Sequence, residues 1–196
     1  IPYPIRTVYK TEMPYLQEQR NDEARLLEVL PTTPLFKDLS DAEARVLSKE
    51  VFIQRFGDGE DLLREGETGD HFFLLLEGSC SVLVAGPTGG SIPVASVGPG
   101  SVVGEMALLA GALRTATVRA ATEVLAARIG KEALTHVLEL RPDLLESFAR
   151  YAAEKSKAID SARVSGNEIE RAPSGSNDTI ALGDRIRRFL GLVSHR

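Results

Sequence analysis

Residues 104–118 read GEMALLAGALRTATV and hold the side chains best suited to chemistry. Gly104 opens a short apolar helical turn over 106–109, and Gly111 breaks it. The first N–H groups of a helical turn have no partners within the helix, so they favour an anion. Arg114 follows among small residues, and its planar fork offers charge and paired donors to phosphate oxygens. Thr115 and Ala116 are small enough to let a ligand approach the backbone. Glu105 is out of place beside an anion unless it accepts hydrogen bonds from a hydroxylated part of the same ligand, such as a ribose. The competing reading is a glycine-rich turn that carries a surface arginine.

Other chemistries find less support. His71, His136 and His195 fall on a strand, a helix and the tail, without the spacing of metal ligands, so neither a metal site nor an enzyme is expected. Cys80 is the single cysteine; it allows no internal disulfide and reads as a small strand hydrophobe. The net charge of −5 lacks the basic footprint of a nucleic-acid binder. No apolar run approaches the length of a membrane span, and no signal peptide is evident.

The elements that must position the 104–118 run are short. Glycine-marked turns punctuate residues 50–129 and predict strands at 50–56, 61–63, 71–76, 79–85, 92–97, 102–103, 114–120 and 123–129. Eight such strands suit a jelly roll. Helical spacing precedes them at 12–30, ended by Pro31, and again after Ser40, where Glu43 completes a capping-box pattern. A helical region follows at 131–162, divided at Arg141-Pro142. Its second part places Leu144, Leu145, Phe148, Tyr151, Ala152, Lys155 and Ile159 on one face. After Arg163 comes a Ser- and Gly-rich linker. Ile186, Phe189, Leu190 and Val193 then form an apolar stripe among arginines, a short amphipathic tail able to touch anionic lipid or dock on a partner.

Gly104-Glu105-Met106-Ala107-Leu108 with Arg114-Thr115-Ala116-Thr117-Val118 resembles the phosphate-binding cassette of cyclic nucleotide-binding domains. Leu63-Arg64-Glu65-Gly66-Glu67-Thr68-Gly69-Asp70, followed by Phe72-Phe73-Leu74-Leu75-Leu76-Glu77-Gly78, extends the likeness upstream, and it spans about residues 24–162. The resemblance implies a mainly β domain with flanking helices (α+β): an eight-stranded jelly-roll barrel with N-terminal helices and a C-terminal two-helix lid. It implies that Gly104, Ala107, Arg114 and Thr115 hold a cyclic phosphate and Glu105 the ribose. Val103, Met106, Thr115, Tyr151 and Lys155 would meet the purine and the lid. Val103 stands where the family often has an aromatic residue. The implied ligand is cAMP, with cGMP admitted by the Thr115 hydroxyl, and no metal.

Ile1-Pro2-Tyr3-Pro4-Ile5-Arg6-Thr7-Val8-Tyr9 reads as an extended segment. It is similar to the closing strand of the cytoplasmic domain in small-conductance mechanosensitive channels. Joined to a nucleotide-binding domain, it resembles the bacterial cyclic-nucleotide-gated branch of that family. The expected organisation is a channel remnant at 1–10, a helical lead-in at 11–49, the barrel at 50–130, lid helices at 131–162 and a linker with basic tail at 163–196. A start at Ile1 fits a piece of a larger protein. The expected partners are the nucleotide and the parent channel's own cytoplasmic and membrane domains. The parent is expected to be an oligomer, with this soluble piece on the cytosolic face of the membrane. The alternative is a soluble regulatory subunit acting on a partner protein, although no second cassette or pseudosubstrate is found. A DNA-binding regulator would need a helix-turn-helix for which the residues after Ala162 leave little room.

Overall fold

A computed structural model describes residues 14–86, 89–165, 184, 186–188 and 190–192, and side chains within these except at 14–18, 110 and 155–165. The Ile1–Tyr9 segment, the linker at 166–183, Phe189 and Val193 lie outside the described residues.

Helix α1 (Pro14–Val29) passes through a 3₁₀ turn at Leu30–Thr32 and is followed by α2 (Asp41–Ser48). The predicted capping box is formed: Ser40 N–H donates to Glu43 at 2.8 Å and Glu43 N–H donates back to the Ser40 hydroxyl at 3.4 Å. The strands are β1 (Phe52–Phe56), β2 (Asp61–Leu63), β3 (His71–Glu77), β4 (Cys80–Ala85), β5 (Ser91–Val97), β6 (Val102–Val103), β7 (Thr117–Ala120) and β8 (Val124–Gly130). They build two antiparallel four-stranded sheets, ordered β1-β8-β3-β6 and β2-β7-β4-β5. This is the expected eight-stranded β-roll with flanking helices. Helix α3 (Glu105–Ala110) sits between β6 and β7, and α4 (Lys131–Leu140) and α5 (Leu144–Ser165) close the domain.

The first sheet is covered on both faces, which is why β3 is a nearly continuous apolar run rather than an alternation. Phe72, Leu74 and Leu76 belong to a core shared with the helices, including Leu26, Leu30, Phe36, Leu134 and Phe148. Phe73 and Leu75 turn the other way, into a core between the sheets with Leu63, Cys80, Val103, Val118 and Ala126. Burial pushes the Cys80 thiol up to about 11, so it is an inert packing group. Phe36 joins the lead-in to the rest: its ring stacks on Phe72 at 6.2 Å and meets Phe148 of α5 edge-on at 6.0 Å. Arg141, just past α4, donates to Glu43 of α2 at 3.1 Å.

Two expectations change. The strand predicted from 114 begins only at Thr117, because the Arg114 backbone is engaged by the β2–β3 loop. Arg114 N–H donates to Glu67 C=O at 2.8 Å, and Gly66 N–H donates to Arg114 C=O at 2.9 Å. Of the tail's apolar stripe, expected to touch a membrane or a partner, the two described residues are used within the chain. Ile186 and Leu190 are buried in the helix-side core, while Asp184 and Arg188 face solvent. No helix among the described residues is long and apolar enough to cross a membrane.

Candidate functional site

The site forms where α3, the β2–β3 loop and the start of β3 meet. Gly104 takes φ +85°, a left-handed conformation that turns the chain from β6 into α3. Arg114 reaches back beneath this turn. Its guanidinium donates from Nη1 to Gly104 C=O at 2.5 Å and from Nη2 to His71 C=O at 2.7 Å. Glycine makes room for it twice. A Cβ at Gly69 would lie 2.3 Å from the guanidinium carbon, and one at Gly104 would lie 2.6 Å from Nη1.

Arg114 is only 5% exposed, yet both of its observed hydrogen-bond acceptors are neutral carbonyls. Burial pushes its pKa down, while Asp70, Glu105 and Glu67 oppose that through their fields and Arg128 adds to it. A buried cation is costly unless opposite charge offsets its desolvation, and here the nearby carboxylates act through their fields and not through a hydrogen bond.

Glu105 is 5% exposed at the first position of α3. Tyr151 of α5 lies within its field: burial, and then the Glu105 charge, push the tyrosine hydroxyl's pKa well up. Gly104 and Glu105 thus lie about Arg114, Ala107 is buried on the same helix α3, and α5 packs directly on α3. Thr115 is exposed beside Arg114, and Met106 is half-buried against the helices. Val103, expected to meet the purine, is instead buried in the core between the sheets. Lys155 is carried by α5, but its side chain lies outside the described residues. No group of His, Cys, Asp and Glu suited to a metal ion occurs among the described residues.

Sequence reasoning missed Asp70, His71 and Arg128 as parts of this site. The His71 Nδ1 lies 2.7 Å from Asp70 Oδ1 and 3.2 Å from an Arg128 Nη2, and its ring meets Phe73 edge-on. The one available signal was Arg128 itself, a charge inside the otherwise apolar β8 run VLAARIG.

Residues 53–141 match the family described as cyclic nucleotide-binding domain. The chain is 32% identical over 148 residues to a cyclic nucleotide-gated potassium channel of Mesorhizobium japonicum, covering 76% of this chain and 40% of the channel. It is also 32% identical over 162 residues to a cAMP-dependent protein kinase regulatory subunit of Mycosarcoma maydis, covering 77% of this chain and 31% of that protein. The chain therefore spans less than half the length of these curated relatives. Among solved structures, a cyclic nucleotide-binding domain from Methylobacillus flagellatus superposes with a TM-score of 0.62 at 25% identity, covering 79% of this chain and 88% of that one. A shared fold, a glycine-framed turn over a buried arginine and these matches lead to one conclusion: residues 53–141 form a cyclic nucleotide-binding domain.

Proposed function

We propose that this domain binds cAMP, and cGMP less tightly, and regulates an attached membrane ion channel through movement of α5. The observation that carries the ligand reading is Arg114, a buried guanidinium whose hydrogen bonds end on neutral carbonyls. A cyclic phosphate would supply a charged hydrogen-bond acceptor, which none of the surrounding carboxylates does. Gly104 and the Ala107 N–H would complete its cradle, with the Thr115 hydroxyl beside them. Glu105 would accept the ribose hydroxyl, and Met106, Tyr151 and Lys155 would face the purine. No metal is needed, because Arg114 provides the charge. The domain does no chemistry on the nucleotide; it is a binding switch.

The packing of α5 against α3 and the lead-in supports the proposed movement. The Glu105 charge acts on Tyr151 of α5, and Phe148 three residues earlier touches Phe36 of the lead-in. A ligand that favours one position of α5 shifts the population of lead-in conformations. The channel reading draws on the channel relative, and the mechanosensitive type draws only on residues 1–9. The kinase-subunit relative supports a second reading, a soluble regulatory subunit. Pore helices encoded directly upstream of Ile1 would decide for the channel; their absence from the gene would decide for the subunit. Calorimetric titration with cAMP, cGMP and cyclic dinucleotides tests the ligand reading. Absence of heat with all of them at millimolar concentration would end it.

Two substitutions probe ligand contacts. Thr115→Ala is expected to weaken cGMP by roughly threefold to tenfold, the value of one neutral hydrogen bond of about 0.5–1.5 kcal/mol, and to leave cAMP nearly unchanged. Equal losses for the two nucleotides would show that Thr115 does not read the base. Tyr151→Ala is expected to raise the cAMP off-rate roughly threefold to tenfold, as loss of an aromatic contact does, with a smaller change in on-rate. Removing α5 outright is a poorer test, since Leu144, Leu145, Phe148, Ala149 and Ala152 are core residues. An unchanged off-rate in Tyr151→Ala would make α5 a structural brace.

A further inference from the structure

Arg114 does not stand alone among charges. Asp70, Glu105 and Glu67 act on it from the loop and α3, and Arg128 acts from β8. With His71 neutral, Arg114 and Arg128 share the site with three carboxylates that act on Arg114 through their fields and not through hydrogen bonds, so the net charge there is negative and weakens the hold on an anion at Arg114. His71 is placed to correct that balance. Its own carbonyl accepts the Arg114 Nη2 at 2.7 Å, so ring and phosphate arginine are joined through one residue. The ring's Nδ1 is shared between opposites: Asp70 Oδ1 at 2.7 Å and Arg128 Nη2 at 3.2 Å, with Arg128 also 3.5 Å from Asp70. One nitrogen cannot satisfy both neighbours. The neutral tautomer with its proton on Nε2 presents an Nδ1 lone pair that accepts from Arg128 and repels Asp70; adding a proton at Nδ1 gives the imidazolium, which donates to Asp70 and turns no lone pair towards Arg128.

We infer that Asp70, His71 and Arg128 form a proton-dependent latch that strengthens anion binding at Arg114. This rests on the nucleotide-binding reading above. When His71 takes up a proton it claims Asp70 as a charge-assisted partner. Arg128 then shares Asp70 with a cation and faces the anion instead. The count of charges around the site becomes even, and the bound phosphate meets one more positive charge. The supporting direction is consistent: burial first, then the Arg128 and Arg114 charges, hold the His71 pKa below the usual histidine range, against the hydrogen bond that Asp70 accepts. An anion beside Arg114 cancels part of that repulsion. Binding therefore draws in a proton, and affinity rises as pH falls through the histidine range. The ligand-free domain behaves oppositely. A histidine whose folded pKa is lowered costs stability as pH falls below its unfolded value.

The test is calorimetric titration of the whole chain with cAMP between about pH 5.5 and 8, in buffers of different ionisation enthalpy. Wild type is expected to take up a proton on binding and to bind about threefold to tenfold more tightly at the acidic end. Linkage to a single proton changes affinity by at most about tenfold for each pH unit crossed. His71→Gln is expected to bind with a flat pH profile near the alkaline affinity of the wild type. Arg128→Gln is expected to bind more weakly throughout, with a smaller rise on acidification. The proton uptake of the wild type needs no substitution, so the latch can be judged even if a variant fails to fold. Binding that is flat in pH without proton exchange overturns the latch and leaves the nucleotide reading intact. A full acid rise in His71→Gln also overturns it, by placing the proton elsewhere. Failure of the wild type to bind at any pH overturns both.

Discussion

Arg114→Ala is expected to lower cAMP affinity by roughly thirtyfold to several thousandfold, equivalent to about 2–5 kcal/mol for truncating one side of a buried charged pair. Arg114→Lys should recover little, because an ammonium cannot reproduce the planar fork. Glu105→Ala should cost less, since it removes hydroxyl contacts and not the charge pair. Thermal melting gives the readout. Ligand at a hundred times its dissociation constant adds about 2.7 kcal/mol to the wild type. For a chain of this size that raises the melting temperature by roughly 5–10 °C. The rise should vanish in Arg114→Ala at the same cAMP concentration. Without ligand the variant should melt close to wild type: two hydrogen bonds to Gly104 and His71 carbonyls are lost, but so is a desolvated charge. A full melting shift in Arg114→Ala would place the ligand elsewhere.

Gly69→Ala is expected to imitate that loss without touching a charge. The new Cβ would meet the guanidinium at 2.3 Å from its carbon and 2.4 Å from Nη2. These atoms end a flexible side chain, so Arg114 would swing out and the fold would survive. Affinity should fall at least about tenfold, up to the full loss in Arg114→Ala. The double variant Gly69→Ala with Arg114→Ala should bind no worse than Arg114→Ala alone, because both changes act on one interaction. Additive losses would mean that Gly69 serves the site by another route. Circular dichroism at matched temperature checks that each protein remains folded.

Where reasoning from residues succeeded, the signals were local. The turns at Gly57 to Gly59, Gly66 and Gly98 to Gly100 are set by neighbours in the chain, and so are the capping box at Ser40 and the break at Arg141-Pro142. These marked out the eight strands and the helices on either side. The approach of Gly104, Glu105 and Arg114 was also legible, since one short run carries all three.

Long-range pairing decided the rest. His71 and Arg128 lie 57 positions apart and meet only because β3 and β8 pair antiparallel, with His71 opposite Gly130 and Phe73 opposite Arg128. Nothing in either strand's own spacing encodes that register. The same holds for Arg114, whose backbone left the predicted strand for Glu67 and Gly66, and for Gly69, whose missing side chain matters only once the guanidinium lies against it. The tail's stripe was visible as an amphipathic pattern, but a pattern names a face and not its occupant. Ile186 and Leu190 could have met lipid, a partner or their own domain, and the apolar surface left open among the helices took them. Local sequence sets which side chains share a surface; which surfaces meet is settled by burial over the whole chain.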